Sequence, residues 1–98
     1  MDKITNKKKT CVNSLKLLGD FWTLRIIEAL SNGENRFCGI QRAVGNVNPV
    51  TLTNRLDKLV QAGMAGRKKE TYFLTKIGKN SLPVLDAIVK FAKKIKRF

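Results

Sequence analysis

Apolar positions along this chain recur mostly three and four residues apart, the spacing of one helix face. Val12, Leu15 and Leu18 predict a short helix from Cys11 to Leu18, ended by Gly19. Asp20 is placed to cap a second helix from Phe21 to Leu30, with a broad apolar stripe of Trp22, Ile26, Ile27 and Leu30. Ser31, Asn32 and Gly33 close it. Arg36 and Phe37 predict a brief strand. Cys38 to Val44 predicts a short helix with Ile40 and Val44 inward, followed by a turn from Gly45 to Asn48. Asn48 and Pro49 form a strong helix start: Asn as N-cap, Pro at the first helical position. That helix carries Leu52, Leu56 and Leu59 on one face and runs to about Gln61, before Gly63.

The pattern then changes. Met64 to Lys68 and Thr71 to Leu74 read as two short strands joined by a tight turn at Lys69 and Glu70, a turn without the Gly or Asn that two-residue hairpins favour. Thr75 is placed to cap a long final helix reaching almost to Phe98, with Pro83 inside it predicted to kink one turn. The expected fold is mainly α with a small β-hairpin, the winged helix-turn-helix arrangement. Residues 49–61 would enter the major groove and residues 64–74 would form the wing.

Composition narrows the function. Ninety-eight residues, 43% apolar, make one domain over residues 11–98, preceded by a basic arm at 1–10 that carries Lys3, Lys7, Lys8 and Lys9. Twenty Lys and Arg against seven Asp and Glu leave a formal charge of +13. Such a balance calls for an acidic partner, either nucleic acid or an anionic membrane surface. No stretch approaches 18 apolar residues, so no membrane span is expected. The absence of His excludes imidazole catalysis and His-ligated metals, and two cysteines cannot complete a four-ligand zinc site. With no nucleophile–base pair and no phosphate-cradling Gly loop, neither catalysis nor a cofactor is expected, and nothing points to a small-molecule effector. Two cysteines without a signal-peptide pattern read as reduced and cytoplasmic.

The polar face of the 49–61 helix supplies the candidate readers. Val50, Thr51, Asn54 and, on the flank, Arg55 are expected at base edges. Arg36, Arg42, Lys58, Arg67, Lys68 and Lys69 are expected at phosphates, setting register. Taken singly, each also suits an ordinary solvated surface. The final helix carries apolar residues on more than one face, which one small core cannot cover. A homodimer through the first and last helices would use Val12, Leu15, Leu85, Ile88, Val89, Ala92 and Ile95. The charges Lys90, Lys93, Lys94, Lys96 and Arg97 suit a solvated face, a second DNA patch or a membrane-surface helix. Cys11, beside Lys7, Lys8 and Lys9 and near a helix start, is a candidate redox thiol or a small interface residue. Cys38 reads as a buried space-filler and Trp22 as core.

An ordered set of short motifs resembles the HxlR-type transcriptional regulators. Leu17 to Leu24 (LLGDFWTL) is similar to that family's LLGGKWTL stretch, and Arg36-Phe37 to its RF. Leu52 to Leu59 (LTNRLDKL) matches LTxRLxxL, Tyr72 to Lys79 (YFLTKIGK) matches YxLTxxGK, and Leu82 to Leu85 (LPVL) matches its LxPVL-type run. Cys11 falls where members usually carry a cysteine, though Val12 replaces the Pro that follows it and Phe21 replaces a Lys before the Trp. The resemblance covers residues 11–92 and implies a dimeric regulator that binds double-stranded DNA. Some members sense oxidants through the equivalent of Cys11, so a redox-switched regulator is a rival reading. A basic surface of this kind also suits an RNA-binding protein, and a winged helix can serve as a protein-interaction module. The hairpin is shorter than the family's, so a stubby wing is expected.

Overall fold

The computed structural model describes residues 12–95. A first helix, α1, covers residues 12–18 and turns sharply at Gly19, whose N–H donates to Leu15 O at 2.7 Å. Helix α2 (Phe21–Ser31) is capped by Asp20, whose carboxylate accepts from Thr23 N, and it buries Ile26, Ile27, Ala29 and Leu30. Gly33, at φ 97°, reverses the chain after it. Helix α3 (Phe37–Ala43) and helix α4 (Pro49–Gln61) follow, and α4 packs on α2. Leu52, Leu56 and Leu59 are wholly buried, so one edge of α4 belongs to the core and the other stands free.

The turn between α3 and α4 is set by backbone chemistry. Gly45 (φ 98°) and Asn46 (φ 59°) both occupy the left-handed region, where Gly and Asn are tolerated. Val47 plugs the core beneath them, and Gln41 Nε2 donates to its carbonyl at 2.9 Å. Asn48 Oδ1 then accepts from Val50 N at 2.8 Å, capping α4 with Pro49 in its first turn.

Strands β1 (Ala65–Lys68) and β2 (Thr71–Leu74) pair antiparallel, with Ala65 opposite Leu74 and Lys68 opposite Thr71. Arg36 forms a single bridge to Thr71, and Tyr72 N donates to Asn35 O. The strand expected at Arg36 and Phe37 is therefore one residue long, because Phe37 already opens α3. Lys69 sits at φ 58°, the left-handed position the tight turn demands although no Gly or Asn is present.

The long final helix is instead two. Helix α5 (Lys76–Lys79) is capped by Thr75, and helix α6 (Leu82–Lys94) begins beyond Asn80 and Ser81. Pro83 has no N–H for the carbonyl of Lys79, so the chain restarts rather than bends. Ser81 Oγ donates to Gly78 O at 2.6 Å and covers one of the carbonyls exposed by the break. Gly78 is required by close approach: a Cβ there would lie 1.9 Å from the backbone oxygen of Met64. Thr75 Oγ1 donates to Gly63 O from the same corner, tying α5 to the base of the wing. Among the described residues, no helix is long and apolar enough to cross a membrane.

Candidate nucleic-acid interface

Helix α4 presents Val50, 68% exposed, together with Thr53, Asn54, Asp57 and Gln61 on the side away from its leucines. Thr51 is half-buried. Thr51, Arg55 and Lys58 stand three and four apart and share the flank that faces α1 and the start of α2. All four expected base readers, Val50, Thr51, Asn54 and Arg55, lie in the first two turns of the capped helix, and Val50 and Asn54 are exposed there.

Arg55 is placed differently from the sequence expectation. Its Nε donates to Asp20 Oδ2 at 2.8 Å and a terminal nitrogen donates to Oδ1 at 3.2 Å, a bidentate pair. Both side chains are mostly covered, 25% and 29% exposed. Asp20 Oδ2 also accepts from Thr23 N and Thr23 Oγ1, each at 2.9 Å. The Arg55 guanidinium, chiefly, and the Thr23 bonds hold the Asp20 carboxyl down at about 2 against the opposing effect of burial. Asp20 in turn raises the pKa of Arg55. The pair joins the N-terminus of α2 to the middle of α4, so Arg55 ties the two helices together with two of its five N–H donors. Sequence reasoning gave Asp20 only its capping role; the partner 35 residues away was invisible to local spacing.

The phosphate candidates fall into groups. Arg36, Lys68 and Lys69 line one shallow cleft at the wing, with Glu70 and Thr71. Arg67 lies on the neighbouring surface, where it shares a second cleft with Arg36 and Cys38. The Arg67 guanidinium sits 5.5 Å from the Tyr72 ring centre, and its Nε donates to Lys69 O at 3.1 Å. Arg42 stands apart on the last turn of α3, and Lys58 lies on the α1-facing flank of α4. Cys38 is exposed, contrary to the expectation of a buried filler, because α3 turns Ile40 inward in its place. Trp22 is partly buried against the core.

Of the expected dimer residues, Val12, Leu15, Ile88, Val89 and Ala92 are exposed, while Leu85 and Ile95 are half-covered. Leu85 packs on the monomer core. Helix α6 buries none of its residues; Ile88 is 45% and Phe91 63% exposed. Cys11 and the basic arm lie outside the described residues.

Residues 17–97 match the HxlR-like helix-turn-helix family. The chain belongs to that family. An uncharacterized HTH-type transcriptional regulator of Methanothermobacter thermautotrophicus is 29% identical over 83 residues, 78% of this chain and 63% of the relative. The chain therefore spans somewhat under two thirds of that relative's length. The crystal structure of quinone-bound YodB from B. subtilis superposes with a TM-score of 0.81 at 27% identity, covering 88% of this chain and 98% of YodB. A possible HxlR family transcriptional factor from Thermoplasma volcanium gives a TM-score of 0.76 at 28% identity over 86% of this chain and 82% of its own. These likenesses match the winged-helix architecture expected from the sequence, with a mainly helical body and one hairpin among the described residues.

Proposed function

We propose that this HxlR-like chain is a cytoplasmic transcriptional regulator that binds double-stranded DNA as a homodimer. The observation that carries the reading is α4, which is clamped on one side by three buried leucines and carries exposed hydrogen-bonding side chains on the other. Val50, Thr51 and Asn54 would meet base edges, and Arg36, Arg42, Lys58, Arg67, Lys68 and Lys69 would meet phosphates. Arg55 serves them by fixing the helix against α2. The unpartnered apolar faces of α1 and α6 support a two-fold dimer that sets two α4 helices about 34 Å apart, one turn of DNA.

The test is a fluorescence-anisotropy titration with duplex DNA at several salt concentrations, using single-stranded RNA as competitor. The expected result is preference for duplex and a linear fall of log K with log salt, at a slope near −0.9 per phosphate contact. Preference for RNA, or binding indifferent to salt, refutes the reading.

A second reading, that electrophiles switch DNA binding at Cys11, is supported by the likeness to a quinone-bound YodB structure. It requires that a quinone change the affinity of the parent chain and leave Cys11→Ser unchanged. An equal response in both removes Cys11 from the function.

A further inference from the structure

Beside the Asp20–Arg55 pair lies a cleft of about 290 Å³ walled by all three elements that meet there. Helix α1 contributes Asn13 and Lys16, the start of α2 contributes Asp20 and Thr23, and α4 contributes Arg55 and Lys58. At about 30 Å³ per water, the cleft has room for an oxyanion with part of its hydration shell.

Its charge is unbalanced. Three cations face one carboxylate, and that carboxylate is already engaged: Asp20 accepts from Thr23 twice and from Arg55 twice. Lys16 and Lys58 have no ion-pair partner among the described residues. Lys16 and Lys58 therefore line one concave surface with uncompensated charge, together with a guanidinium held by its own partner. Such an arrangement attracts an anion and offers it donors from α1 and α4. Asn13 adds a neutral side chain that can donate.

We propose that this cleft is a seat for a phosphate or carboxylate oxyanion, held by Lys16 and Lys58 with Arg55 at its base. It extends the interface beyond the wing, because Lys58 is on the flank of α4 that faces α1 and Lys16 belongs to α1 itself. One source of the oxyanion is a backbone phosphate of DNA lying along that flank, which rests on the functional reading above. The other is a free small anion, which does not. In either case the occupant touches both the helix offered to DNA and the helix offered to the dimer partner.

Two arms of one experiment separate these sources. In the first, Lys16→Gln, Lys58→Gln and a control, Lys79→Gln on the exposed end of α5, are titrated with a duplex at several salt concentrations. If a DNA phosphate occupies the seat, Lys16→Gln and Lys58→Gln each reduce the log–log salt slope by about 0.9. The control would leave it unchanged. In the second arm, inorganic phosphate is titrated without DNA at constant ionic strength while backbone amide NMR shifts are followed. A free-anion site gives saturable shifts at Asn13, Lys16 and Thr23 that are lost in Lys16→Gln. All three variants alter exposed side chains, and unchanged melting temperatures confirm that each folds.

A lowered slope for both Lys16→Gln and Lys58→Gln, or saturable shifts lost in Lys16→Gln, supports the seat and names its source; a lowered slope for Lys58→Gln alone, without such shifts, is an isolated phosphate contact and overturns the seat. Unchanged slopes together with no saturable shifts overturn it. Failure of the parent chain to bind duplex refutes the functional reading alone, and the phosphate arm still decides the seat.

Discussion

Removing the charge of Asp20 should weaken the contact between α2 and α4 by a calculable amount. Asp20→Asn keeps an oxygen to cap α2 but cannot form an ion pair with Arg55. The folded carboxyl titrates at about 2 against an ordinary 3.8, a difference that corresponds to about 2 kcal/mol. The two side chains keep some solvent contact, which screens the pair and brings the expected loss to about 1–2 kcal/mol. For a domain of this size that is a fall of about 5–10 °C in melting temperature. Because the folded pKa lies below the unfolded one, the contribution is fully present above about pH 4 and disappears as pH falls through 2. Urea melts at fixed protein concentration, from pH 6 down to pH 2, should therefore show parent and Asp20→Asn converging as acid is added. A double-mutant cycle with Arg55→Gln at pH 7 isolates the coupling. A coupling energy below about 0.3 kcal/mol, or curves that stay parallel to pH 2, would show that the two residues are neighbours without an energetic link.

Other perturbations probe the rest of the molecule. Gly78→Ala places a Cβ against the Met64 carbonyl and should cost about 3 kcal/mol in chemical denaturation; a cost below about 1 kcal/mol means the corner is not close-packed. Lys69→Gly relieves a left-handed backbone and should add about 1 kcal/mol of stability. The same change should lower the salt slope of DNA binding by about 0.9, so greater stability and weaker binding are expected together. Ile88→Lys puts a charge into the exposed apolar face of α6 and should convert the sedimenting species to 11.0 kDa. If the parent already sediments at that mass in the micromolar range, the dimer is rejected.

Much of this architecture is legible in the residue order. The leucines at 52, 56 and 59, the Asn48-Pro49 start and the Gly63 stop define α4 because each acts through neighbours within one or two turns. The hairpin bounds are likewise visible within a residue. Residue order misleads where a local rule admits two outcomes. Pro83 reads as a kink within one helix, but a missing N–H can equally end one helix and begin another; the Ser81 hydroxyl on Gly78 and the packing of Leu82 and Leu85 on the core favour the break. Cys38 reads as core on residue type, although α3 is a short helix with Ile40 its single buried residue.

Helices α1 to α4, the cap of α4, the wing and the surplus of positive charge follow from residue order alone, because propensity, capping and charge count depend on short stretches of chain. Which cations stay free is settled by the folded arrangement. Arg55 and Lys58 look alike along α4 and line the same cleft as Lys16, yet Arg55 is held by Asp20 while Lys58 has no ion-pair partner among the described residues. Pairing between distant charges depends on distances that folding alone creates, and an ion pair weakens steeply once solvent separates its partners.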